Sequence, residues 1–130
     1  MTLDELNAHL VLIQELTAAK DLLRTLEAAA LSASKLDAIP RATGAGDRTA
    51  ALAVKIVQQR QVVQKYQYIA EASAVTVKAW IGGIEDNRLN VIFYLRFICG
   101  YEWLEVADMT GSTENAVKSL AYRYFRSQAL

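Results

Sequence analysis

The sequence predicts an all-α protein, a long antiparallel helical hairpin followed by a small C-terminal helix-turn-helix. Three observations predict it. The 130 residues include one Pro and six Gly and show no alternating strand pattern punctuated by hairpin turns. Two long stretches, joined by a single loop, repeat their apolar residues at spacings of three and four. Finally, Trp103 to Tyr122, WLEVADMTGSTENAVKSLAY, reads as two short helices meeting at Gly111. With 53% hydrophobic and 22% charged residues, the chain is long enough to bury a real core.

The first helix opens on Thr2 and Glu5, three apart as a capping box requires, and its seam is Leu3, Leu6, Leu10, Ile13, Leu16, Ala19, Leu23, Leu26 and Ala30. It closes around Asp37, Ile39 and Pro40. The stretch KLDAIPRATGAGDR lacks the G-x-x-x-x-G-K-[ST] spacing of a phosphate loop and reads as a plain connector. Asp47 is the expected N-cap of a second helix running to about Trp80. Its seam, Leu52, Ile56, Gln59, Val63, Tyr66, Ala70, Ser73, Val77 and Trp80, alternates steps of four and three. Neither helix buries its stripe alone, so the two pair as a hairpin. Val54, Val57, Val62 and Ile69 leave apolar surface beside the seam, which predicts a homodimer.

Gly82 and Gly83 mark a hinge that divides residues 1–82, the hairpin and oligomerisation region, from residues 83–130. Asp86 caps a third helix, Asn87 to Cys99, whose inner face is Leu89, Ile92, Phe93, Arg96 and Phe97, and which Gly100 terminates. Cys99, the only cysteine, is expected in the core; one cysteine excludes an internal disulfide and suits a reducing cytoplasm. In the last two helices, a small Ala107 lets the helices approach steeply. Gly111 supplies the positive φ of a sharp turn, and Val117 fills the wedge beside Val106 and Leu120. Thr113 caps the final helix, which runs to about Gln128.

The segment DNRLNVIFYLRFICGYEWLEVADMTGSTENAVKSLAYRYFRSQAL resembles region 4 of bacterial sigma factors and the small phage regulators similar to it, the RinA and ArpU-like late-gene activators. The residues that carry the likeness are the arginine-containing helix Arg96 to Gly100, then Trp103 to Ala107, then the helix after Thr113, about the last third of the chain. Two departures stand out. Thr110 occupies a turn position where the family pattern prefers an apolar residue, with Met109 expected to supply that contact, and the last helix is less basic than in sigma region 4. The resemblance implies a cytoplasmic, phage or prophage transcriptional regulator that binds double-stranded DNA, with RNA polymerase as a further partner.

Residues of that last helix have the chemistry for reading a duplex. Thr113, Glu114, Asn115, Lys118, Ser119 and Tyr122 point outward, because Val117, Leu120, Ala121 and Tyr124 face in. Asn115 suits adenine, Lys118 guanine or phosphate and Glu114 cytosine, while Arg123 and Arg126 lie further along for phosphates. Net charge divides along the chain: −3 over residues 1–40, +4 over 41–80 and −1 over 81–130, so the basic second helix is expected to share the attraction for DNA. Zero net charge also suits a phage packaging or scaffolding component.

An enzyme is not expected. His9 is the only histidine and lies far in sequence from Cys99, no nucleophile has a base beside it, and neither metal-ligand spacing nor a cofactor motif occurs. No apolar run is long enough for a membrane span, and the acidic start MTLDE is unlike a signal peptide.

Overall fold

The computed structural model describes residues 1–37 and 45–128, with side chains described over 1–33 and 47–128. All the elements are helical: α1 (Leu3–Asp37), α2 (Ala45–Gly82), α3 (Asn87–Phe93) running into a π-helical turn (Tyr94–Ile98), α4 (Trp103–Thr110) and α5 (Glu114–Gln128). No strand occurs among the described residues, and no described helix is long and apolar enough to cross a membrane. The predicted connector falls largely outside the described residues.

α1 starts as its sequence dictates. The Thr2 N–H donates to Glu5 Oε2 at 2.9 Å and the Glu5 N–H to Thr2 Oγ1 at 3.2 Å, so two of the helix's free amides are satisfied reciprocally. α2 begins at Ala45, two residues before the expected cap; Asp47 therefore sits inside the first turn, where its carboxylate acts on the free amides through charge rather than as N-cap.

The chain forms two compact units. One is Gln14–Ile69; the other combines Met1–Ile13 with Ala70–Leu130. In the first, the residues of the expected seams are the ones withdrawn from solvent: Ala19 and Ile56 are buried, and Leu16, Leu23, Leu26, Leu52, Val63 and Tyr66 are half-buried. Polar Gln59 sits in that seam because its Nε2 donates to the Ala19 carbonyl at 3.0 Å, and Arg60 reaches Glu27 at 3.6 Å.

The second unit holds the main core, in which Leu6, Leu10, Val77, Ile81, Ile84, Ile92, Phe93 and Phe97 pack with Trp103, Val106, Ala107, Val117 and Ala121. Ser73, the other polar seam residue, is hydrogen-bonded through Oγ to Nδ1 of His9 at 2.8 Å. His9 is only 2% exposed, and burial holds its pKa below the ordinary 6.5, so it is neutral at neutral pH.

α3 is capped by Asp86, whose carboxylate accepts from the amides of Arg88 and Leu89, at 2.9 and 3.2 Å. Asn90 ties this helix to the end of α2 by donating from Nδ2 to the carbonyls of Ile81 and Ile84, at 2.9 and 3.3 Å. From Tyr94 the helix widens, and the Cys99 N–H donates to the Tyr94 carbonyl five residues back at 3.1 Å. That turn corrects two expectations. The third helix is not α-helical through Cys99, and Cys99 is exposed, not in the core. In an unbroken α-helix Cys99 falls two turns beyond buried Ile92 on the same face; the extra residue in the wider turn sets it back by about 100°.

Candidate nucleic-acid interface

α4 and α5 meet at a turn closed by backbone and cap hydrogen bonds. Ahead of α4, Gly100 takes φ 79° and Glu102 is extended, its N–H donating to Glu105 Oε1 at 3.2 Å. At the far end Gly111 adopts the left-handed conformation, φ 67° and ψ 35°. The Ser112 N–H donates to the Ala107 carbonyl at 2.9 Å and the Gly111 N–H to the Asp108 carbonyl at 3.4 Å, the paired closure that a glycine just past a helix permits. α5 then begins at once, with Thr113 Oγ1 accepting from the Ala116 N–H at 3.2 Å.

Between the two helices Val106, Ala107, Val117 and Ala121 are buried, as the small-residue and wedge argument expects. Met109, expected to stand in for an apolar residue at position 110, points into solvent instead. Thr110 needs no such substitute. Its hydroxyl donates back to the Val106 carbonyl at 2.8 Å, within reach of the Ala107 carbonyl at 3.3 Å, so its methyl can lie inward with no donor unsatisfied.

Aromatic packing fixes α5 along its length. Phe125 stacks on Trp80 with centroids 5.9 Å apart and planes 7° apart, and Phe93 lies 5.4 Å from Phe125 and 5.6 Å from Tyr124. Towards α4, Trp103 meets Phe97 edge-on at 6.2 Å and Tyr122 at 6.4 Å. Arg96 lies beneath this group, 15% exposed, with its guanidinium carbon 5.2 Å from the Trp103 ring centre. Its Nη1 donates to the Tyr101 carbonyl at 2.9 Å and approaches Glu102 at 3.6 Å, while its buried Nε has no hydrogen-bond partner. Arg96 therefore buttresses Trp103 instead of meeting a ligand. Arg88 extends to the turn, where Nη2 donates to Ser112 Oγ at 3.3 Å.

The outward residues of α5 divide into two sets. Asn115, Ser119, Arg123 and Arg126 are exposed, and neither arginine has an ion pair among the described residues. Glu114 and Lys118 instead hold each other at 2.9 Å, one turn apart, so their charges neutralise one another on this surface. Thr113 is exposed but occupied as cap, and Tyr122 leans on Trp103 while keeping part of its ring in solvent. The Glu114–Lys118 pairing was readable from its spacing of four; the approach of Arg88 to the turn, 24 residues on, left no signal in the sequence. α4 has the opposite character: exposed Leu104 and Met109 flank exposed Glu105 and Asp108, and no base occurs on that helix. Among the described residues no group of His, Cys, Asp and Glu could hold a metal ion.

No family model matches the chain, and neither the curated proteins nor the solved structures contain a match to it.

Proposed function

We propose that this chain is a sequence-specific DNA-binding transcriptional regulator of the phage sigma region 4-like type, in which α4, Gly111 and α5 act as a helix-turn-helix and α5 enters the major groove. One observation carries the reading. The face of α5 bearing Val117 and Ala121 is buried against α4 and the core, which leaves Asn115, Ser119, Arg123 and Arg126 on the solvent side with donors and acceptors of the kinds that base edges and phosphates take. Asn115, in the first turn after the Thr113 cap, reads a base edge; Arg123 and Arg126 bind phosphates. Glu114 and Lys118 exchange their mutual pair for contacts with cytosine and with guanine or phosphate. α1 and α2 pair as an antiparallel hairpin that joins two copies, so that two α5 helices address two half-sites. The acidic balance of residues 81–130 keeps non-specific attraction low and leaves part of the pull to the basic α2.

Selection from a pool of random duplexes at low salt tests this reading. Recovery of an enriched, two-fold symmetric site is the expected outcome, and the absence of any enriched sequence refutes it. A second reading has its own observation. The exposed Leu104 and Met109 on either side of Glu105 and Asp108 make an acidic, apolar outer face on α4, unsuited to phosphate and suited to a basic protein surface such as one on RNA polymerase. Co-purification with polymerase that is lost in Leu104→Lys and Met109→Lys, with no enriched duplex, favours docking over DNA reading.

A further inference from the structure

The bases of residues 81–130 are Arg88, Arg96, Lys118, Arg123 and Arg126, and the fold uses them differently. Arg96 is spent inside, bonded to the Tyr101 carbonyl beneath the Trp103 ring. Lys118 is matched by Glu114 at 2.9 Å. Arg123 and Arg126 stand exposed towards the far end of α5. Arg88, on α3, is the remaining one. It is exposed and has no ion pair among the described residues. Of the donors on its guanidinium only one is engaged, Nη2 donating to Ser112 Oγ at 3.3 Å. A hydroxyl at that distance leaves the charge unneutralised. What it does is hold the charge in place, 24 residues along the chain from its own backbone.

That place is informative. Ser112 lies in the turn just ahead of Thr113, so the guanidinium sits at the end of α5 that carries Asn115, opposite the end that carries Arg123 and Arg126. At about 1.5 Å per residue, those two arginines stand about 14 and 18 Å along the axis from Glu114, the first residue of α5. A major groove is about 12 Å wide. Cations at both ends of α5 can therefore meet phosphates on both walls of the groove. Without Arg88 the end near Asn115 has no charge to offer a phosphate, because Lys118 is balanced by Glu114 and exposed Asp108 is acidic. We infer that Arg88 binds a DNA backbone phosphate beside the turn, on the strand across the groove from the one that Arg123 and Arg126 contact. This deepens the DNA-binding reading above and rests on it. The Ser112 hydroxyl accepts from Arg88 and still has its own proton to donate to the same phosphate. A guanidinium already tethered also loses less side-chain freedom on binding than one that swings freely.

Binding of the full chain to its selected duplex, measured across a salt series and by phosphate ethylation interference, tests the contact. Arg88→Ala is expected to bind about tenfold more weakly at about 0.05 M salt. One ion fewer is released per bound chain, so that deficit shrinks about 3.5-fold by about 0.2 M. Ethylation marks should vanish on one wall of the groove and persist on the other, whereas Arg123→Ala should erase marks on the opposite wall. Arg88→Lys, which keeps the charge, should restore the salt slope. Because Arg88 is exposed, the melting curve should be that of the wild type. An Arg88→Ala protein with wild-type affinity and wild-type marks overturns the contact and leaves the DNA reading standing. A loss that is equal at every salt concentration and that Arg88→Lys does not restore also overturns it, since that pattern reports a deformed turn and not a missing charge. A chain that enriches no duplex at all overturns the DNA reading and the contact together.

Discussion

Replacing Gly111 by Ala is expected to cost about 1 kcal/mol, and the reason lies wholly in the backbone. A Cβ built at Gly111 meets no atom within 4 Å, so sterics from neighbours add nothing. The left-handed φ of 67° is what a side chain resists, by about 1 to 2 kcal/mol. Alanine recovers about 0.4 to 1 kcal/mol of that by restricting the unfolded chain. Asn tolerates the left-handed region better and should cost less than Ala, while β-branched Val should cost most. Trp80 and Trp103 both lie in the compact unit that contains Gly111, so a urea titration followed by tryptophan fluorescence reads the relevant unfolding. The Ala variant should also melt roughly 3 to 5 °C lower. A neutral or stabilised Gly111→Ala, or a Gly111→Asn as damaging as Gly111→Val, refutes the assignment of a strained closure that only a glycine relieves.

Stability should fall as pH drops below about 6.5. The buried, neutral His9 has a folded pKa beneath its unfolded value, so the unfolded chain takes up the proton first, with a slope of at most about 1.4 kcal/mol per pH unit that levels off once the folded form also protonates. His9→Gln should remove the slope that sets in below about pH 6.5, and a slope that survives the change assigns it to other groups. In DNA binding, Asn115→Ala should cost about 1 to 3 kcal/mol on the selected site and little on random duplex, as a base contact does. Arg123→Ala should weaken all duplexes alike and lower the salt slope by about one ion; gel shifts across a salt series separate the two, and identical behaviour of both variants contradicts the roles assigned to them.

Periodicity made the helices legible. Leu6, Leu10, Ala19, Ile56, Ala70 and Val77 all lie on the expected stripes, because a helix repeats its inner face every three to four residues whatever it packs against. The turn between α4 and α5 was equally plain, since few residues satisfy its steric demands: Ala107, Gly111, Thr113 and Val117 each occupy the expected place. What failed to show in the sequence depends on distant partners or on a change of helical phase. His9 looked idle on α1 because the Ser73 hydroxyl that satisfies it lies 64 residues away. The exposure of Cys99 has no signal in the sequence, because nothing in YLRFI announces a π turn. Asp47 has the side chain of a cap and follows residues that read as loop, yet the helix already includes Ala45. In the candidate site, the residues on the outer face of α5 followed from periodicity, but the support of α5 by Trp80 and Phe93 through Phe125 required tertiary packing.

The widened turn at Tyr94–Ile98 makes chain length at that point part of the design. A π turn is in effect an α turn with one residue too many, and the surplus is absorbed without breaking the helix. Deleting one residue there would restore ordinary winding and swing everything downstream by about 100° relative to Ile92 and Phe93. Trp103 would leave its place over Arg96, and the outer face of α5 would be aimed elsewhere. Point substitutions along this turn can be absorbed one side chain at a time, whereas a single deletion re-aims two helices at once.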